Sequence, residues 1–167
     1  MLGEGPGVVF DLGSGGGLPA LPAALAEPGW TWVLVESQLR RADQLASATR
    51  RLVLQDRVTV MHARAEEVGR DPKYRGTADA VTARAFGPPA VVAECSAPLL
   101  RVGGRLLVSE PPEADERWPE AGLGLVGLSP AVARSVSGYA FVEVTQAEPC
   151  PRGYPRRPRV SEKSPLF

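Results

Sequence analysis

The chain of 167 residues has one histidine and two cysteines. His62 therefore lacks a second histidine with which to share a metal or a proton relay. Cys95 and Cys150 are 55 residues apart, which matches no metal-ligand spacing. They read as free thiols of a reducing compartment, the cytoplasm. Lysine is scarce as well: only Lys73 and Lys163, against 17 arginines. Basic and acidic residues both number 19, so the formal net charge is zero and no global field draws the chain to nucleic acid. The arginine-for-lysine skew, with abundant Ala, Gly and Pro, fits GC-rich coding and is weak evidence for RNA contact. No apolar run approaches the ~18 residues that mark a membrane-spanning helix. Residues 1–6 carry neither the cationic start nor the apolar core of a secretory leader, and no internal repeat is visible.

Glycine (18) and proline (17) are plentiful, together about a fifth of the chain. That is above the ~12% of average proteins and below the ~25–30% that signals disorder. The length suits one domain, residues 1–167, with a real core and irregular connections mainly after Glu110.

The organising stretch is Val8-Val9-Phe10-Asp11-Leu12-Gly13-Ser14-Gly15-Gly16-Gly17-Leu18-Pro19. A short apolar run, an acid and alternate glycines precede a helical segment, residues 20–26. That order is a buried parallel strand, a tight turn and a helix N-terminus. Glycine is required where the chain turns sharply and a ligand touches backbone. The spacing is not Gly-x-Gly-x-x-Gly, since Leu18 holds the third position. A second register, from Gly15 and Gly17 to Ala20, is a relaxed match to a dinucleotide site but leaves Asp11 and Gly13 unexplained. A second strand, residues 30–35, closes on Glu36, 19 residues beyond Gly17. An acid so placed accepts both hydrogen bonds of a ribose diol; alternatively, Glu36 or Ser37 caps the next helix.

Residues 38–55 have helical spacing, with Leu39, Ala42, Leu45, Ala46, Thr49, Leu52 and Val53 on one face. Residues 58–61 are a third strand, 71–77 a polar loop and 78–82 a fourth strand. Arg84 follows at the carboxyl edge of the sheet, where open α/β folds bind ligands. It suits a phosphate, a cofactor carboxylate, a guanine edge or a structural ion pair. Residues 89–100 read as a helix, 106–109 as strand five and 110–120 as an exposed loop or ragged helix. Residues 123–128 and 139–145 read as a closing antiparallel pair. The tail, 149–167, gathers Arg152, Arg156, Arg157, Arg159 and Lys163 around Tyr154 and several prolines. It is either a nucleic-acid contact or a solvated tail, and on both readings separable from cofactor binding.

The acid followed by alternate glycines resembles motif I of class I S-adenosylmethionine (SAM) methyltransferases. Together with Arg64-Ala-Glu-Glu, Thr82-Ala-Arg-Ala-Phe, Leu99-Leu-Arg-Val-Gly-Gly-Arg-Leu-Leu and the ending Tyr154-Pro-Arg-Arg-Pro, it is similar, colinearly over nearly the whole chain, to the 16S rRNA (guanine-N7) methyltransferase family, or glucose-inhibited division protein B. The Thr-Ala-Arg-Ala and Tyr-Pro-Arg-Arg segments are its specific parts.

The resemblance implies a Rossmann-like class I methyltransferase fold, a mostly parallel seven-stranded sheet with helices on both faces. It implies SAM as cofactor, bound by Asp11, Gly13, Gly15, Gly17, Leu18, Glu36, Ala65, Glu66 and Arg84. The implied partner is 16S rRNA or the 30S subunit, touched by Arg152, Arg156, Arg157 and Lys163, with no metal and no membrane. Guanine N7 has a free lone pair, so the absence of a Cys, His or carboxylate dyad is compatible with a reaction that needs chiefly positioning. A non-catalytic SAM- or RNA-binding relative and a small-molecule methyltransferase are the other readings.

Two places depart from the family pattern. Motif I begins almost at once, where relatives usually carry a helical segment. Val108-Ser109-Glu110 stands where they tend to have Leu-Lys-Gly, putting an acid in place of a cation. The expectation is a chain that binds SAM and methylates 30S subunits slowly or not at all.

Overall fold

Strands buried on both faces read as continuous apolar runs, and such runs fill the centre of the sheet. The computed structural model describes residues 6–111, 117–157 and 160–167. Its seven strands are β1 (Gly7–Leu12), β2 (Trp30–Glu36), β3 (Val58–His62), β4 (Ala78–Ala83), β5 (Leu100–Ser109), β6 (Val132–Val136) and β7 (Tyr139–Thr145). They lie in the order β3-β2-β1-β4-β5-β7-β6, the first five parallel and β7 antiparallel to both its neighbours. The order reverses between β1 and β4, and there the carboxyl ends of the strands open a crevice.

Successive side chains on a strand face opposite ways, so each strand feeds two cores. On one face Phe10, Leu12, Val81, Leu106 and Val142 pack with α3 (Ala65–Arg70), α4 (Pro89–Ser96) and α5 (Glu120–Gly124). On the other, Val9, Trp32 and Leu34 pack under α1 (Ala20–Ala26) and α2 (Leu39–Arg51). Each such large side chain contributes roughly 1.5–3 kcal/mol by leaving water. Coverage of the second face is uneven. Leu107, Ser109, Phe141 and Tyr139 continue it across β5 and β7; Leu107 and half-buried Phe141 still join the core under α1, while Tyr139 is exposed.

The seven-stranded, doubly covered sheet is the expected one, but several boundaries differ. The second helix stops at Arg51 instead of running to 55, because Val53 turns left-handed (φ 56°); Leu39, Leu52 and Val53 are exposed. The fourth helix ends at Ser96, ahead of Pro98, which cannot continue it, and β5 starts already at Leu100. Residues 123–128 are not a strand. They finish α5 and turn through Gly127 (φ 78°), leaving a single bridge from Leu128 to Gln146. The true partner of β7 is β6, whose residues are all exposed and so carry no apolar signature. Within the loop expected over 110–120, residues 112–116 lie outside the described ones, as does Arg159 of the tail.

The tail is not a solvated appendage. The Arg75 guanidinium donates to the carbonyls of Gly69, Cys150, Pro151 and Tyr154 at 2.6–3.2 Å. Arg70 Nε donates to Pro155 O at 3.0 Å, and Pro155 lies against Gly69. Arg156 grips buried Glu94 of α4, with Nε to Oε1 at 2.8 Å and Nη2 to Oε2 at 2.6 Å; its own N–H adds a third bond at 2.7 Å. Phe167 fills the space over Gly122 of α5. α6 (Val160–Lys163) packs on α4.

Candidate cofactor-binding site

The glycine turn is built around the end of β2. Gly13 and Ser14 both donate their N–H to Val35 O, at 2.9 and 3.1 Å. Gly13 has φ 66°, and a Cβ there would stand 2.7 Å from Phe86 Cδ2. Gly17 has φ 88°, and its Cβ would stand 2.5 Å from Leu21 Cδ1. Backbone strain and contact therefore both demand glycine. Gly17→Ala is expected to destabilise the fold by about 1–3 kcal/mol, read as a lower urea midpoint. A change within about 0.5 kcal/mol would mean that Leu21 simply moves aside.

Glu36 is 4% exposed. Its Oε2 accepts from Gly15 N–H at 3.0 Å and its Oε1 from Gln38 N–H at 2.8 Å. The carboxylate thus ties the glycine turn to Gln38, the residue that opens α2, without capping the helix itself, since no side chain bonds its first free N–H groups. Each oxygen keeps a second acceptor site, and Glu36 lines a cavity of about 260 Å³ at the carboxyl edge of the sheet. Gly13, Ser37, Ala65, Glu66 and Phe86 are also in its wall. α3 brings Ala65 and Glu66 there. Its start is fixed by Arg64 N–H donating to Glu67 Oε2 at 3.1 Å, while the Arg64 guanidinium reaches Glu66 Oε1 at 3.3 Å.

The structure thus gathers Gly13, Glu36, Ala65 and Glu66 of the expected set, with Gly15 bonded to Glu36. Gly17 and Leu18 are not in the wall: Gly17 is buried against Leu21 and Leu45, and Leu18 is exposed. Arg84 lines a second cavity, of about 490 Å³, with Pro19, Trp32, Ser109, Tyr139 and Phe141. Phe86 was not anticipated. Ala85 between them is left-handed (φ 52°), which breaks the extended alternation and sends Arg84 to one cavity and Phe86 to the other. The signal lay in Ala-Arg-Ala-Phe-Gly, where two small residues flank the arginine.

Asp11 lies beneath the turn, 1% exposed and outside both cavity walls, its Oδ1 accepting from Thr82 Oγ1 at 2.5 Å. Burial raises its pKa from 3.8 to about 6, against the pull of the Thr82 hydrogen bond. The folded chain therefore holds this proton more tightly than the unfolded chain. Stability is lost as pH rises through about 4 to 6 and is level above. Asp11→Asn is expected to abolish that slope and, relative to wild type, gain up to about 3 kcal/mol between pH 4 and pH 7.5. Urea melts of both proteins at the two pH values measure it. Equal pH dependence would place the titration elsewhere.

His62 is exposed and its Nε2 lies 3.1 Å from Ser37 O. Burial, with the Glu66 and Glu94 charges, pushes the Cys95 thiol well above the usual range, and burial pushes Cys150 up to about 11. Neither supplies a thiolate at neutral pH. Glu110, expected to confront the substrate as a bare acid, is paired with Arg117. Among the described residues no cluster of three or more His, Cys, Asp or Glu side chains forms, and no helix is long and apolar enough to cross a membrane.

A family model described as GidB, rRNA small subunit methyltransferase G, matches residues 3–119. The ribosomal RNA small subunit methyltransferase G of Roseiflexus castenholzii is 36% identical, over 99% of this chain and 73% of that protein. The protein of the same name from Lactobacillus delbrueckii subsp. bulgaricus is 34% identical, over 93% of this chain and 68% of that protein. Among solved structures, a SAM-dependent methyltransferase fold from Methanococcus maripaludis superposes with a TM-score of 0.66 at 15% identity, over 88% of this chain and 80% of that one. TYW2 of P. horikoshii, solved with MeSAdo, gives 0.62 at 15% identity; this chain spans 58% of its length, less than two thirds.

Proposed function

The chain belongs to the GidB family of rRNA small subunit methyltransferases, and from that premise we propose that it methylates N7 of a guanine in small-subunit ribosomal RNA, with SAM as methyl donor. The observation that carries the reading is Glu36, a buried carboxylate in the cavity wall between the glycine turn and Ala65-Glu66. The residues present fit the cofactor. Glu36 retains acceptor capacity for a ribose diol, Ala65 and Phe86 offer apolar contact to an adenine, and Gly13 leaves backbone bare where a side chain would collide.

When bound, SAM supplies an electrophilic methyl on a sulfonium. Guanine N7 already carries a free lone pair, so no side chain of this chain would have to remove a proton before that methyl is accepted. The protein's work is to hold and orient two reactants in a dry crevice, and the inert thiols and lone exposed histidine are consistent with that. Among the described residues, Arg152, Arg157 and Lys163, all exposed, are the tail cations available to RNA phosphates, with the 30S subunit as the partner in the cell. Arg156 leaves that group, because Glu94 occupies its guanidinium.

Calorimetry with SAM and S-adenosylhomocysteine, followed by nucleoside analysis of small-subunit rRNA incubated with the chain, tests the proposal. Saturable binding of both ligands and appearance of 7-methylguanosine are expected. A folded protein that binds neither ligand refutes it.

A further inference from the structure

We propose that Arg70, Arg75 and Arg152 form a phosphate pocket at the amino edge of the sheet, and that it holds a backbone phosphate of the substrate RNA as an anchor away from the methyl donor. The inference rests on the methyltransferase reading above, which supplies the RNA. Three observations carry it.

The first is place. α3 begins in the wall of the cofactor cavity, with Ala65 and Glu66, and ends at Arg70. A helix rises about 1.5 Å per residue, so its far end lies roughly 8 Å down the axis. The chain then passes through 71–77 and enters β4 at Ala78, on the edge opposite the cofactor. There Arg70, Pro72, Arg75, Arg152 and Tyr154 enclose a cavity of about 550 Å³.

The second is charge. The chain as a whole is neutral, yet this wall has three guanidinia and no carboxylate. Among the described residues none of the three is paired with an acid. The adjacent acid, Asp71, turns its Oδ1 to the N–H of Lys73 at 2.9 Å. The Lys73 ammonium, a fourth cation nearby, lies 5.0 Å from the centre of the Tyr74 ring. Clustered guanidinia repel one another, and a phosphate both relieves that and fits their planar forks. The one aromatic ring of the wall, Tyr154, already carries the Arg156 guanidinium at 5.9 Å, which favours a phosphate over a stacked base.

The third is preorganisation. Arg75 contributes charge and no donors, because its terminal nitrogens are spent on four carbonyls. Those bonds brace the turn 151–154, which Tyr154 N–H closes on Pro151 O at 3.1 Å. Arg152 stands exposed on that braced turn, with no partner among the described residues. Arg70 is held through Nε by Pro155 O at 3.0 Å, which leaves both of its terminal nitrogens to donate. Two free forks beside a fixed charge cost little ordering when an anion arrives.

The test measures binding of a small-subunit rRNA transcript to the full chain across a salt series, with calorimetry of S-adenosylhomocysteine and of inorganic phosphate alongside. Arg152→Gln should weaken RNA binding roughly tenfold, the low end for hydrogen bonds to a charged group. It should also flatten the salt dependence by about one unit of slope, with the urea midpoint and the affinity for S-adenosylhomocysteine unchanged. Arg70→Gln should act likewise, and the two losses should not add, since both side chains grip one phosphate. Arg152→Lys should restore the slope but only part of the affinity. An Arg152→Gln protein that binds RNA like wild type overturns the proposal. So does a loss no larger than that of Arg157→Gln, a tail cation outside the pocket, since a diffuse field would then account for both. Inorganic phosphate that binds tightly and is not displaced by RNA would mark a site for free phosphate and overturn the RNA assignment. Failure of the wild type to bind S-adenosylhomocysteine refutes the methyltransferase reading instead, and the RNA series still decides whether the pocket holds a phosphate of the backbone.

Discussion

Arg156→Ala is expected to lower the unfolding free energy by about 3–5 kcal/mol, the range for stripping one partner from a buried ion pair. The Glu94 side chain is only 1% exposed and takes all three of its bonds from Arg156. Without the guanidinium, a carboxylate stays in the core with one backbone N–H for company. Against the ~5–15 kcal/mol of an ordinary domain, that is a large fraction. The cofactor cavity should suffer too, because Val91, one turn before Glu94 on α4, is part of its wall. Removing residues 152–167 should do at least as much harm, contrary to the separable tail expected from sequence. Urea denaturation of Arg156→Ala, beside a Glu94→Leu/Arg156→Met double variant, measures the effect. The double variant should recover most of the loss, since an apolar pair of similar volume leaves no charge behind. A single-variant loss under about 1 kcal/mol would make the pair no stronger than one on the surface.

The second large effect is at Glu36. Glu36→Ala should weaken SAM and S-adenosylhomocysteine binding by about 1.5–3 kcal/mol, the worth of hydrogen bonds to a charged group, or roughly 10- to 150-fold in affinity. Sequence alone offered ribose binding and helix capping as alternatives. The carboxylate already holds Gly15 and Gln38, so the apo protein should lose stability as well. Calorimetry and ligand-free urea melts separate the two parts. A loss of stability with unchanged affinity would reduce Glu36 to a clamp on the turn.

The site was legible where its logic is local. Gly13 and Glu36 declare themselves through spacing, because a strand, a tight turn and the next strand end leave few places for an acid and a glycine, whereas Asp11 and Gly17 support the turn and stay outside the cavity wall. The parallel strands were legible because burial on both faces removes alternation. β6 was not, since none of its side chains is buried, and the apolar Leu-Gly-Leu-Val-Gly-Leu run drew the eye to residues that its glycines curl into a helix end. Two ion pairs also escaped. Glu94 and Arg156 are 62 residues apart, with no periodicity to link them. Glu110 looked like a free acid because nothing in the sequence announces Arg117 as its partner. The pairing also means that a Glu110→Lys variant would set its lysine against Arg117.

The clasp of the C-terminal segment on α3, α4 and α5 also has a consequence for biosynthesis. Residues 150–167 are made after everything they clamp. While the ribosome is still at work, the sheet can assemble from its amino-terminal strands outward, but Glu94 has no guanidinium and Arg75 lacks three of its four carbonyls. A nascent chain of this kind is compact yet unfinished, with one wall of its crevice unlatched. Competence to hold a cofactor should therefore appear abruptly, once Arg156 has emerged, and a ribosome stalled before Arg156 should display a chain that proteases still cut.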